Sequence, residues 1–246
     1  MRLLFVADLH YSLKQFDWLL AEAEGYDLVA IGGDLLDLAS PLDPDVQIAI
    51  VEKYLGLLRQ KTTLVVSSGN HDGDSRNEAD ESVAEWVRDA ALAPGGGGRI
   101  HTDGEGFDFG DARITVCPWW DGETTRAAID RLLEKEAALR RDRWIWIHHA
   151  PPEGSRTSWS GKRFIGDGHL SSWIARYQPE MVFSGHIHNS PFYPEGSWID
   201  RIGPTWVFNP GKQPGPEPTA IVVDLEAMTA EWRSFEGSSL RELRVA

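Results

Sequence analysis

Residues 181–188 read MVFSGHIH. Three apolar residues end at a glycine turn, and two imidazoles follow, one residue apart. A short continuous apolar run cut off by glycine suits a strand buried on both faces. A histidine pair beyond such a strand carries weight only if other strand ends bring similar groups.

They do. Short apolar runs recur at Leu3–Ala7, Leu28–Ile31, Thr63–Val66, Ile114–Val116 and Trp144–Ile147. Asp8-Leu9-His10 follows the first of these. Gly32-Gly33-Asp34-Leu35-Leu36-Asp37 follows the second, and Ser67-Ser68-Gly69-Asn70-His71-Asp72 the third. His148-His149-Ala150-Pro151-Pro152 follows Ile147. Between the runs, helical patterns occupy residues 12–24, 43–60, 78–91, 123–141 and 168–177. In the second, Val46, Ile50, Val51, Tyr54, Leu55 and Leu58 fall at spacings of three and four. Alternating strands and helices predict a layered α/β fold. In such sheets the ligand crevice lies outside the carboxyl ends of the strands. Five endings rich in Asp, Asn and His can converge there.

The last part changes character. Trp198–Ile202, Thr205–Phe208, Ala220–Leu225 and Thr229–Phe235 read as strands that complete a second sheet, so residues 1–246 are expected to form a single domain. NPGKQPGPEP (209–218) reads as a rigid loop. Gly95–Gly98 reads as a turn, because the lysine and hydroxyl of a phosphate loop do not follow it.

A formal net charge of −14, with no basic run, disfavours a duplex nucleic acid partner. Bound divalent cations would reverse that charge locally, so an anionic substrate stays open. The one cysteine, Cys117, excludes an intrachain disulfide and a thiolate metal cluster. The N-terminal apolar run covers only Leu3 to Ala7, too short for a signal peptide. No stretch approaches the roughly 18–20 apolar residues of a membrane span. A cytoplasmic protein with no membrane partner is expected.

Carboxylate, imidazole and amide oxygen form a mixed donor set suited to Mn, Fe, Zn, Co or Ni. In extended backbone, residues i and i+2 point the same way. Asp8 and His10 are therefore expected to aim at one site, as are His186 and His188.

The order DxH, GDxxD, GNHD, HHxPP, GHxH resembles that of the calcineurin-like metallophosphoesterases, in particular their small single-domain bacterial branch. The likeness extends through QPEMVFSGHIH and IGPTWVFNPG and spans residues 8 to 211. It implies a four-layer αββα sandwich of two mixed sheets flanked by helices, with a metal site at the C-terminal ends of the strands. It also implies two divalent or mixed-valence transition metal ions. Asp8, His10 and His188 would hold one and Asn70, His148 and His186 the other, with Asp34 bridging. Of the paired histidines the first, His148, matches the family's ligand, which leaves His149 to line the cleft. His71 would assist the leaving group without binding metal, and Asp37 or Asp72 would orient it or a ligand histidine.

The implied reaction is phosphoester hydrolysis, with a metal-activated hydroxide attacking phosphorus in line. No large cap domain is evident, which favours a phosphodiesterase over a phosphomonoesterase and a small-molecule phosphoester as substrate. Trp119 and Trp120 in CPWWDG, with Arg76, are candidate substrate contacts. His101 and His169 match no ligand position and are expected at the surface. A related lipid A pathway branch carries arginine in place of the GNHD histidine, so His71 argues against that lipid. Two rivals stand beside this reading. A DNA repair-type nuclease is disfavoured by the charge and by the lack of capping segments. A non-catalytic metal-binding interaction module, like a retromer subunit of this fold, is disfavoured because every ligand and His71 are kept.

Overall fold

All six apolar runs become strands. The computed structural model describes residues 1–92 and 99–244. The turn expected at Gly95–Gly98 lies outside the described residues. In chain order the strands are β1 (Arg2–Val6), β2 (Leu28–Gly32), β3 (Thr63–Ser67), β4 (Ser75–Arg76), β5 (Ser82–Val83), β6 (Ile100–His101), β7 (Gly106–Phe109) and β8 (Ala112–Val116). Then come β9 (Arg143–Ile147), β10 (Met181–Phe183), β11 (Ile199–Ile202), β12 (Thr205–Phe208), β13 (Ala220–Asp224), β14 (Thr229–Ser234) and β15 (Gly237–Glu242). The helices are α1 (Leu13–Glu22), α2 (Pro44–Leu58), α3 (Glu85–Asp89), α4 (Glu123–Ala137) and α5 (Gly168–Tyr177).

Among the described residues, two large mixed sheets form, ordered β15-β14-β13-β1-β2-β3-β6 and β11-β12-β10-β9-β8-β7. Strand alternation sorts the side chains into three apolar layers. Leu4, Val6, Val29 and Ile31 face helices α1 and α2. Leu3, Phe5, Ile145, Ile147 and Phe183 pack between the sheets. Trp144, Trp146 and Val182 face α4 and α5. The result is the αββα sandwich. Each fully buried side chain of this size contributes about 1.5–3 kcal/mol, so all three layers hold the sandwich together. Parallel pairing of β1, β2 and β3, and of β8, β9 and β10, puts their C-terminal ends at one edge of the sandwich.

The tail departs from expectation. Only β11 and β12 extend the second sheet; β13, β14 and β15 extend the first, with β13 antiparallel to β1. Ala220–Val223 is buried on both faces, and only a central position beside β1 offers that. The helix expected over 78–91 shrinks to α3. Asn77 Oδ1 instead accepts the Ala79 and Glu81 amides and turns the chain into the β4–β5 hairpin. Glu81 then caps α4, whose N-cap Gly122 has no side chain, by accepting the Thr124 and Thr125 amides at 2.8 and 2.7 Å. Among the described residues, no helix is long and apolar enough to cross a membrane.

Candidate metal centre

Asp8 and His10 follow β1, Asp34 follows β2, Asn70 and His71 follow β3, His149 follows β9, and His186 and His188 follow β10. They converge, but not by strand alternation. Asp8, His10, Asp34 and His186 all have positive φ, between 41° and 64°. Left-handed backbone costs such residues about 1–3 kcal/mol each and concentrates at functional sites. Cross-links between loops hold them there. The amides of Asp8 and His10 donate to the carbonyls of Gly33 and Asp34. The His186 amide donates to both oxygens of Asp8 at 3.0 Å, and the His71 amide to Asp34 Oδ1 at 2.9 Å. Close approach demands glycine at two places. A Cβ on Gly185 would lie 2.5 Å from Asp8 Oδ2, and one on Gly69 would lie 2.3 Å from Asp34 Oδ1.

Donor atoms of Asp8, His10 and His188 lie within 4.8 Å of one another, as do those of Asp34, His149 and His186. Asp34 Oδ2 stands between the two groups, 3.6 Å from His10 Nε2 and 3.3 Å from His149 Nε2. Asp8 Oδ1 is 3.3 Å from His188 Nε2 and 3.8 Å from His10 Nε2. His10, Asp34 and His71 form a third such group, with His71 Nε2 4.0 Å from Asp34 Oδ2.

The structure corrects the choice between the paired histidines. His149, not His148, stands with Asp34 and His186. His148 turns away, with Nε2 3.4 Å from Asp167 Oδ2 and its ring against Trp173. The cause is β9. Trp144 and Trp146 face the helices and Ile145 and Ile147 face the other sheet, so the next two residues divide the same way. His149 is locked by a 2.7 Å bond from Nδ1 to the Gly32 carbonyl, which leaves Nε2 for the centre.

Other expectations are corrected as well. Among the described residues, neither Asp37 nor Asp72 makes a hydrogen bond or ion pair to His71 or to a candidate ligand histidine. Asp37 Oδ1 accepts the Ala39 amide. Asp72, fully buried, accepts the amides of Leu35, Leu36 and Gly69 and so ties the GDLLD and GNHD loops together. Arg76 pairs with Asp80 inside its own hairpin. His101 is half-buried, stacked on Phe107 and paired with Glu105. Trp119 and Trp120 both line a pocket beside His186.

Three supporting residues had no clear signal in the sequence. Asn209 donates to the carbonyls of Thr157, Gly185 and Ile187, clamping the GHIH turn. Lys212, just past the NPG turn, donates to the Asp8 carbonyl at 2.8 Å. Asp103 accepts the Ser68 amide at 2.9 Å below the GNHD loop.

The donor set fits a pair of metal ions. Asn70 Oδ1 and His149 Nε2 are buried with no hydrogen-bond partner. Burial pushes the Asp8 and Asp34 carboxyls up, but neighbouring imidazoles outweigh it and hold both below the usual range. Burial likewise pushes His149 down, yet Asp34 and Asp8 raise it well above an ordinary imidazole. Two buried carboxylates thus demand positive charge here, and a divalent ion meets that demand more fully than a proton.

The family model for calcineurin-like phosphoesterases matches residues 1–190, which carry every candidate ligand. The chain belongs to that family. It is a metal-dependent phosphoesterase, and the family implies a dinuclear divalent centre. No curated protein matches this phosphoesterase in sequence. Solved structures resemble its fold. TT1561 of Thermus thermophilus is 14% identical, with 99% of each chain covered and a TM-score of 0.59. Purple acid phosphatase PPD1 from yellow lupin is 14% identical, with 98% of this chain and 53% of that one covered and a TM-score of 0.58. GAP50, the anchor in the inner membrane complex of Plasmodium, is 8% identical, with 100% and 89% covered and a TM-score of 0.58. A phosphatase and an anchor share this architecture, so only the residues of the site can speak to substrate.

Asp103 yields a prediction about stability. Burial pushes its carboxyl up to about 6. The folded protein then holds this proton more tightly than the unfolded chain, so stability falls as pH rises from about 4 to about 6. Asp103→Asn keeps an acceptor for the Ser68 amide and removes the ionisation. The variant is expected to gain roughly 3 kcal/mol on the native protein over that window. Urea unfolding at pH 4 to 7 measures it, and parallel curves for the two proteins would refute the burial argument.

Proposed function

We propose that this enzyme hydrolyses phosphodiesters in preference to phosphomonoesters. In this reading Asp8, His10 and His188 would hold one transition-metal ion and Asn70, His149 and His186 the other, with Asp34 available to both. The observation that carries it is Asp34 Oδ2, which stands within 3.6 Å of an imidazole nitrogen from each group. Mn, Fe, Zn, Co and Ni all suit such a nitrogen–oxygen set. When bound, a pair of these ions supplies a water of lowered pKa and neutralises charge on phosphoryl oxygens.

The remaining work falls to the chain. His71, packed edge-on against His10 at 4.6 Å, assists the departing oxygen. Asp72 and Asn209 hold the loops in register. The two flanks of the centre differ, and this supports a diester. His71 stands beside the exposed Leu38 and against His10, and Trp119 packs against His186 and His149. A diester has two organic groups to place.

The test is a metal-stripped preparation reloaded with each of the five metals and assayed on bis(nitrophenyl) phosphate and nitrophenyl phosphate. Two ions per chain and a higher kcat/KM on the diester are expected. A higher value on the monoester overturns the preference, and full activity without metal overturns the centre.

A further inference from the structure

A pocket of about 390 Å³ opens directly beside His186. That volume lies at the lower end of the ~300–1,000 Å³ typical of small-molecule sites. Its walls are flat side chains. Trp119 stands 5.6 Å from the His186 ring and 5.8 Å from the His149 ring, and Trp120 meets His169 edge-on at 5.3 Å. Ile165, 41% exposed, forms an apolar rim. Both tryptophans are only partly buried and both line the pocket, and Trp120 also packs against the core beneath α4 and α5.

The walls are fixed from behind. Trp119 donates its amide to Ser68 Oγ at 2.9 Å, which ties the pocket to the GNHD loop. Trp120 Nε1 donates to Asp167 Oδ2 at 2.8 Å. Asp167 also caps α5, accepting the amides of His169 and Leu170. His148 reaches the same carboxylate oxygen. The histidine that the sequence motif offers as a ligand is thus a positioning residue for Asp167 and Trp120. The lining holds two carboxylates, Asp121 and Asp167, and neither lysine nor arginine. A second phosphate or carboxylate on the substrate would be repelled there.

We propose that this pocket is a ring subsite. It takes an uncharged flat ring, aryl or nucleobase, on the group that stays attached to phosphorus while water replaces the other alkoxy or aryloxy group, which leaves beside His71 as the alcohol or phenol. The proposal rests on the phosphodiesterase reading above and names the substrate class within it.

Three esters with one common leaving group test it: methyl, phenyl and thymidine-5′ nitrophenyl phosphates. The native enzyme is expected to show kcat/KM about tenfold or more higher for both ring esters than for the methyl ester, as stacking on an indole predicts. In Trp120→Leu, which touches no candidate ligand, the ratio should collapse toward one with two metal ions still bound. Trp120→Phe should restore part of it. Equal rates on all three esters, or an unchanged ratio in Trp120→Leu, overturn the ring subsite while leaving the phosphodiesterase reading intact. A preference for the thymidine ester alone points to sugar contacts and also overturns stacking. Hydrolysis of none of the three, with metal loaded, overturns the underlying reading instead.

Discussion

Replacing His149 with alanine is expected to cost the enzyme one of its two metal ions and nearly all activity, while His148→Ala keeps both ions. The two residues are neighbours in sequence and equally buried, so any non-specific damage to the strand end would strike both. Each has one buried ring nitrogen without a partner, but the carboxylates around them differ: Asp167 for His148, Asp34 and Asp8 for His149. His149 Nε2 is unbonded, 3.3 Å from Asp34 Oδ2 and 4.0 Å from Asp8 Oδ1, and its other nitrogen is committed to the Gly32 carbonyl. Removing it takes a donor from between two buried carboxylates. The loss in activity should exceed the roughly 10–100-fold that follows when only an outer partner of a ligand is removed. His148→Ala frees Asp167 and loosens Trp120, so its deficit should fall on ring esters. Elemental analysis of both purified variants decides the matter. A His148→Ala protein short of one ion, beside a His149→Ala protein holding two, would reverse the assignment.

This pair also shows what a sequence can and cannot display. The apolar runs are visible as strands because strands buried on both faces need continuous Val, Ile, Leu and Phe. Alternation along Trp144, Ile145, Trp146 and Ile147 was equally visible, and it separates His148 from His149. Which of the two faces meets the other sheet depends on packing partners distant in the chain, and the run itself does not carry that. The same limit applies to the tail. Ala220–Asp224 reads as a strand, but its place beside β1 is a long-range pairing. Strand β15 is mostly exposed and polar, an edge strand with no apolar pattern to read. The helical spacing over 78–91 was real but lost to a local competitor, the Asn77 turn. Asp167 was invisible as a pocket residue because Trp120 and His148 lie 47 and 19 positions away from it.

His71→Ala is the other large effect, and its size should depend on the substrate. The Leu38 amide can only donate, so His71 Nδ1, 3.5 Å away, is the acceptor. The neutral ring then carries its proton on Nε2, the atom that faces Asp34 Oδ2 at 4.0 Å. A nitrogen bearing a proton has no lone pair for a metal, but it can donate to an oxygen that is gaining charge. This separates His71 from His10, although both stand close to Asp34. An alkoxide leaving group needs that donor, and its loss should slow such esters by about 10² to 10⁴-fold. A nitrophenolate needs little help, so bis(nitrophenyl) phosphate should be slowed far less. Both ions should remain bound. An equal loss on alkyl and nitrophenyl diesters would refute the leaving-group role, and loss of an ion in His71→Ala would make His71 a ligand instead.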